Sequence, residues 1–461
     1  MIWEQKGWVQ QTSSPYICNV KPSVDHIDVE WTDGTAQAHD LCIREKDKNA
    51  GLHAIQYPAG ETAARIDRLD ENTEYEIKLV GLATGEESPV RFARTGYVPG
   101  TAVCYVHPED EIYSPGGQYL GSQTLLRLPG GSLLAGMDVF DHSAEQRTGV
   151  ICRSDDNGES WCFVSRIYPI FHTALFMHRG LLYLLGTKKE CGDLILGCSH
   201  DEGKTFSEPV VLLKGTQLDA SGPQRGPLPV TEYEGRIYTS IVWGDHKMNE
   251  FNPGILSIDA DADLMKPENW TITPFTKYDF SWKDAPQGTC PGSIEGNVIV
   301  GRDGRLYDLM RVQQSAGAIP ATGKHILYRV RTEDPKAPLE FVKFVDSPLA
   351  CSSKFHVRYD PVTDRYIMLG NETLYPDCRN HQRTVLAMAV SKDLDDWKLV
   401  HRIIDYHERS IHEVGVQYPD FLFDGDDIVM LLRVSLNGAR NEHDSNYTIF
   451  TRFENFRSYI K

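Results

Sequence analysis

The stretch TLLRLPGGSLLAG, Thr124–Gly136, sets an apolar run, a tight turn and a second apolar run side by side. The same unit returns as ALFMHRGLLYLLG (Ala174–Gly186), PVTEYEGRIYTSI (Pro229–Ile241) and NVIVGRDGRLYDLM (Asn297–Met310). It returns again as HVRYDPVTDRYIML (His356–Leu369) and DFLFDGDDIVMLLR (Asp420–Arg433). Gly or Asp occupies each turn, as a hairpin requires. The six turns are about 50–70 residues apart, which leaves room for a four-stranded blade around each hairpin. Long 3.6-period apolar patterns are nearly absent, and short β-branched and aromatic runs dominate. The expected fold class is therefore all-β, with a six-bladed β-propeller over residues 98–461. Blade six is short of an outer strand after NYTIFTRF (Asn446–Phe453), and TAVCYV (Thr101–Val106) is expected to supply it and close the ring.

Residues 1–97 read as a separate β-sandwich. HIDVEWTDG (His26–Gly34) alternates and then turns, and Ala64–Pro89 gives strand, turn, strand, turn. The pair Leu69 and Tyr75, followed by an alternating strand, resembles a fibronectin type III domain, and the resemblance implies that Trp31 is its buried tryptophan. TGYVPGTA (Thr95–Ala102) is the expected linker.

RSDDNGESW, Arg153–Trp161, combines two aspartates, an asparagine, a glycine and a tryptophan, and it has relatives in the chain. CSHDEGKTF (Cys198–Phe206) repeats the form Ser-x-Asp-x-Gly-x-x-aromatic, and SKDLDDW (Ser391–Trp397) is a degenerate third copy. In such a turn the Asp accepts backbone N–H groups, the Gly takes a positive φ and the aromatic plugs the blade. A calcium loop needs more alternating carboxylates and a terminal Glu, so these turns read as structural staples. The pattern resembles the Asp box of sialidase-like propellers. SIEGNVIVGRDGRLYDLMR (Ser293–Arg311) and the run from VGVQYPDFLFDGDDI through HDSNYTIFTRFENFR resemble bacterial sialidase-family propellers. That likeness implies glycan processing more strongly than it implies sialic acid.

With 461 residues, 41% hydrophobic and 24% charged, the composition is that of a globular protein, and a net charge of −18 disfavours a nucleic-acid or acidic-membrane partner. No run of about 18 apolar residues occurs, and MIWEQKGWVQ has neither a basic nor an apolar leader region. The ten cysteines sit singly, without CxxC, and read as buried thiols. These features favour a cytoplasmic protein, or a secreted or periplasmic one if a leader has been trimmed. A homo-oligomer is compatible with them.

In a propeller the pocket lies where each inner strand begins and where the loop after the second strand returns. Those places hold Gln123, Asp138 and Asp141 in blade one, and His172, Lys188 and Glu190 in blade two. Blade three has Arg225, Asp245 and His246; blade four has Glu295 and Arg311. Blade five has Lys354 and Glu372, and blade six has Gln417, Tyr418, Arg433 and His443. Arg225, Arg311, Lys354, Arg433 and His443 are the expected substrate-binding residues, because converging guanidiniums bind a carboxylate. Asp138, Glu295, Tyr418 and His172 are the expected catalytic residues. The sialidase resemblance implies Tyr418 as nucleophile, Glu295 as its base and Asp138 as acid/base. One departure stands against it: sialidases carry a Phe/Tyr-Arg-Ile-Pro motif near the propeller start, whereas here Arg127 in LLRLPGG precedes a hairpin turn. His172, His356, His412 and His443 support a second chemistry, proton abstraction by a lyase acting on uronate sugars. A third reading is a glycan-binding propeller without catalysis. HExxH, GxSxG and phosphate-loop motifs are missing, so no metal and no cofactor is expected.

Overall fold

The computed structural model describes residues 3–48, 51–110, 118–140, 148–216, 221–245, 247–248, 250–287, 292–313, 321–349, 353–379 and 381–461. Six antiparallel sheets follow one another along residues 119–453. Each begins with one of the six hairpins read from the sequence, and their turns close at Arg127↔Leu133, His178↔Leu181 and Tyr233↔Arg236, then at Val300↔Leu306, Asp360↔Arg365 and Asp424↔Asp427. Strand Thr101–Tyr105 pairs with Tyr447–Phe453, so the first propeller strand completes the last blade. One cavity of about 920 Å³ touches an inner strand of all six sheets, at Leu125, Leu175, Val230, Val298, Val357 and Leu422. A strand from every sheet around one void is the geometry of a propeller channel.

Inner strands have one unpaired edge, and side chains of the preceding blade answer it. Leu125 N–H donates to Asp420 Oδ2 at 2.7 Å, Leu175 N–H to Thr124 Oγ1 at 3.3 Å, and Val357 N–H to Asn297 Oδ1 at 3.0 Å. Aliphatic cores fill the spaces between blades; one joins Leu134, Ile151, Leu175, Leu184 and Phe206 across the first and second.

The three Ser/Asp turns form as their chemistry requires. Asp156 accepts Ser160 N–H at 2.9 Å, Asp201 accepts Thr205 N–H at 2.8 Å, and Asp393 accepts Asp395 N–H at 3.1 Å. Gly158 and Gly203 take φ of 97° and 92°, and Leu394 takes φ of 67° in the degenerate copy. Trp161, Phe206 and Trp397 are buried behind them.

Residues 16–94 form a sandwich of two antiparallel sheets, one of Tyr16–Pro22, His26–Thr32 and Ala63–Asp67, the other of His53–Tyr57, His39–Glu45, Glu74–Gly81 and Arg91–Arg94. Trp31 packs in its core with Leu41, Tyr75 and Ile77, and Asp70 N–H donates to Tyr75 Oη at 2.9 Å. The boundary differs from the expected one. Strands Trp3–Lys6 and Val9–Thr12 leave the sandwich and extend blade one, where Val9 pairs with Ile167. Trp8 is buried against Phe206 and donates Nε1–H to the Pro169 carbonyl at 2.9 Å. The alternation W-x-x-x-x-W-V carries no sign of which domain it serves. Among the described residues no helix is long and apolar enough to cross a membrane.

Candidate active site

At one end of the channel, four inner strands slip register by a bulge. The slips fall between Gly121 and Thr124, Phe171 and Ala174, Ile294 and Asn297, and Gln417 and Asp420. In each, one non-glycine residue enters the left-handed region: Ser122 at φ 57°, His172 at 59°, Glu295 at 57° and Tyr418 at 55°. That conformation costs an L-residue roughly 1–3 kcal/mol and persists only where the surroundings impose it. A bulge also re-aims a side chain. All four side chains line one cavity of about 310 Å³.

Tyr418 is the centre of this cavity. Its ring lies 5.1 Å from the Arg433 guanidinium and 5.7 Å from that of Arg383. Burial raises its pKa, the charge of Glu295 raises it further, and Arg311, Arg383 and Arg433 oppose. The phenol therefore stays protonated at neutral pH. Glu295 Oε2 is 3.1 Å from Arg311 Nε. The two atoms are not aligned for a hydrogen bond, so Oε2 retains accepting capacity. Arg311 Nη2 donates to Gln313 Oε1 at 3.1 Å. Arg433 donates to the His443 carbonyl and has no carboxylate partner among the described residues. His443 Nδ1 lies 2.8 Å from Asp444 Oδ1. Burial, then Arg433, holds the His443 pKa well below the imidazole value, so it is neutral.

One wall is aromatic. Tyr119 and Phe140 are 5.3 Å apart, and Phe140 and Phe171 5.1 Å. Glu190 also lines the cavity. It sits on a turn closed by Gly192 N–H to the Lys189 carbonyl and Lys188 N–H to the Asp193 carbonyl, and anchored by buried Cys191.

The structure thus brings His172, Glu295, Tyr418, Arg433 and His443 to one cavity, with Arg311 bound to Glu295 behind its wall. Three expected residues are elsewhere. Asp138 is 0% exposed and lies beneath the floor, where its carboxylate accepts Thr173 N–H at 3.1 Å. Burial pushes its pKa up to about 7 against hydrogen bonds from Thr173 and Ser122. It holds the two bulges and does not face the cavity, because the strand bends over it. Lys354 is 0% exposed and donates to the Pro419 carbonyl at 3.1 Å. Arg225 is 1% exposed. Gly226 and Pro227, not Arg225, line the cavity. Of the further positions read from the strand pattern, Glu372 pairs with Arg402 at 2.7 Å and Gln123 donates to Thr448 at 3.1 Å. Asp245 caps its own turn by accepting Met248 N–H at 2.9 Å. Gln417 accepts from Arg383. His356 faces the opposite cavity, bound to Asp420 at 2.6 Å. His412 lies on the surface beside Arg379. Asp141 and His246 lie outside the described residues.

Sequence reading missed Arg383, Ser122 and the aromatic wall. Arg383 precedes a third strand, Val385–Ser391, a place not surveyed; an arginine abutting VLAMAV was the available signal. Among the described residues no group of three or more His, Cys, Asp or Glu is placed to hold a metal ion.

No protein-family model matches the sequence, and no curated protein matches it. Solved structures do. A Hadza microbial sialidase, 14% identical, aligns over 97% of this chain and 94% of its own with a TM-score of 0.52. The α-L-arabinofuranosidase of Fusarium graminearum solved with arabinobiose is 14% identical over 77% of this chain and 98% of its own, with a TM-score of 0.51. The NanB sialidase from Streptococcus pneumoniae is 11% identical over 96% and 93%, with a TM-score of 0.50. The likeness at these identities is one of fold, and by that fold the chain is an all-β propeller protein.

Proposed function

We propose that the chain is a glycoside hydrolase acting on the end of an oligosaccharide that terminates in an acidic sugar. The observation that carries this reading is the setting of Tyr418: a protonated phenol between the Arg383 and Arg433 guanidiniums, with Glu295 close enough to raise its pKa. Arg433, which lines the cavity and has no carboxylate partner among the described residues, is placed to attract a ligand carboxylate. A neutral phenol approaches such a sugar without the repulsion an anionic nucleophile would meet. In this mechanism Tyr418 Oη attacks the anomeric carbon and its proton passes to Glu295. The glycosidic C–O bond breaks, and the leaving oxygen takes a proton from a carboxylic acid. Asp138 is enclosed below the floor, so Glu190, the second carboxylate lining the cavity, is assigned that proton. Asp138 acts by fixing the Ser122 and His172 bulges. The structural likeness to a sialidase and an arabinofuranosidase supports a sugar-cleaving role without choosing the sugar.

The test is a panel of sialosides, uronate-capped oligosaccharides and neutral aryl glycosides. Tyr418→Phe and Glu295→Gln should each lower kcat by about 10²–10⁴. Full turnover by Tyr418→Phe would sink the reading. Elimination is the second reading, favoured by neutral His443 with Nδ1 fixed by Asp444. It predicts an unsaturated, ultraviolet-absorbing product lost in His443→Ala.

A further inference from the structure

Below the pocket floor lies a positive charge with no counter-charge among the described residues. Arg225 occupies the break between strands Ser221–Gln224 and Val230–Tyr233 of the third blade and is 1% exposed. Its Nη2 donates to the Leu228 carbonyl at 3.2 Å and to Thr239 Oγ1 at 2.6 Å. Its Nε and Nη1 are both buried and meet no acceptor. No carboxylate offsets it: burial alone moves its pKa, down to about 9, and the group remains a cation at neutral pH. Two other buried arginines are answered by carboxylates: Arg91 has Asp110 at 3.0 Å and Arg311 has Glu295 at 3.1 Å.

A second buried cation is close. Lys354, on the fifth blade, is 0% exposed. Burial lowers its pKa, Asp420 and Glu295 raise it, and Arg358 and Arg225 lower it again. Arg225 and Lys354 therefore work against each other across the channel. Pro227, two residues after Arg225, lines both the pocket and the larger cavity on the opposite face. The segment that carries Arg225 thus separates two openings of the channel. Water can satisfy the orphaned N–H groups, but water does not neutralise a guanidinium taken out of bulk solvent, which is costly without a counter-ion.

We propose that a small inorganic monovalent anion of the halide class binds in the channel floor at Arg225 Nε and Nη1, with Lys354 as its second cation. A sugar carboxylate does not fit this role, because Gly226 and Pro227 stand between Arg225 and the pocket and Arg433 meets the ligand first. The anion would also offset part of the charge that Lys354 presents to Glu295. Only the bearing of this last effect on turnover rests on the proposed hydrolase mechanism; the binding itself does not.

Bromide is the probe. Crystals of the full chain soaked in sodium bromide should show an anomalous peak within hydrogen-bonding reach of Arg225 Nε and Nη1. In solution, at ionic strength held constant with gluconate, the melting temperature should rise saturably with chloride. The rise should be about 1–3 °C at a hundredfold excess over Kd. Arg225→Met should melt at the same temperature with and without chloride. If that variant does not fold, Lys354→Met is read the same way and should respond more weakly than the parent. A featureless or water-filled Arg225 site, equal chloride responses in parent and Arg225→Met, or a substrate-analogue carboxylate on Arg225 would each overturn the proposal. So would a bromide peak with no thermal response, which means an adventitious ion only. Neither readout needs turnover, so an inactive pocket would leave the anion site standing.

Discussion

Arg91→Met should unlatch the sandwich from the propeller. Arg91 sits at the end of the sandwich and Asp110 just after the first propeller strand, and both side chains are 0% exposed. Arg91 Nε donates to Asp110 Oδ2 at 3.0 Å, Nη1 to the Ile17 carbonyl at 3.2 Å and Nη2 to the Tyr105 carbonyl at 2.9 Å. Asp110 in turn accepts Phe92 N–H at 2.9 Å and His107 N–H at 3.0 Å. One guanidinium thus ties a sandwich strand, a propeller strand and a carboxylate that itself holds the Phe92 and His107 backbones. Methionine fills much of the volume but leaves Asp110 buried with only two backbone donors and orphans two carbonyls. Breaking a buried pair by removing one partner costs about 3–5 kcal/mol.

The rest of the interface keeps the loss from reaching further, because Tyr16 and Cys18 still pack with Val103, Leu120 and Phe450. The assay is urea unfolding followed by tryptophan fluorescence, with Arg91→Met, Asp110→Asn and the double variant forming a cycle. Trp31 reports the sandwich, while Trp8 and Trp161 report blade one. Parent protein should unfold in one transition. The double variant should cost less than the sum of the singles, by about 1–3 kcal/mol. A loss under about 1 kcal/mol for Arg91→Met, or strict additivity, would refute the latch.

Two further outcomes follow from groups away from the pocket. Asp156→Ala removes the acceptor for Ser160 N–H and the partner of Ser154 Oγ, so it should lower stability by about 1–2 kcal/mol in urea titration while leaving turnover unchanged. Asp308 is 0% exposed, and burial pushes its pKa up from 3.8 to about 7. Between those values the folded chain binds more protons than the unfolded one. Stability from this group is therefore complete below about pH 4 and is lost as pH rises toward 7, by up to about 4 kcal/mol. Asp308→Asn should flatten the stability profile over that range; an unchanged slope would show that Asp308 is ionised in the folded protein.

The six hairpins were legible because each writes two short apolar runs around a turn that carries Gly or Asp. The ring closure was legible too: Asn446–Phe453 lacked a neighbour and Thr101–Val106 lacked a sheet, and the two pair. The N-terminal hairpin was not, since residues 3–12 alternate as well for a sandwich as for a blade edge. Asp138 shows a different failure. The break in apolar alternation at Asp138 is real, but a polar residue on a second strand can turn toward the neighbouring blade as easily as toward the channel. It takes the Thr173 N–H of blade two. Arg225 failed for a related reason: an arginine among apolar residues was read as pointing to a ligand, and its chain folds instead under Gly226 and Pro227.

Three of the expected residues that line the cavity, His172, Glu295 and Tyr418, share the bulge. Glu295 was singled out because apolar alternation breaks at it, which happens because the strand carries one residue too many, whereas Tyr418 was singled out by its pocket-facing position and the sialidase resemblance. A bulge residue in the left-handed region leaves the pleat, so its side chain is free of both inter-blade cores and turns into the channel mouth. Glycine would take that conformation without strain, yet serine, histidine, glutamate and tyrosine occupy it here. Four unfavourable backbones at equivalent positions of four blades are not required by the propeller, since the fifth blade runs His356–Asp360 without a register shift. These four lie together at the pocket, and Asp138, beneath Ser122 and His172, holds two of them. Asp138 is therefore best understood as a support of the pocket: it does for the backbone of two bulges what the Arg311 ion pair does for the Glu295 side chain, which is to fix where it points.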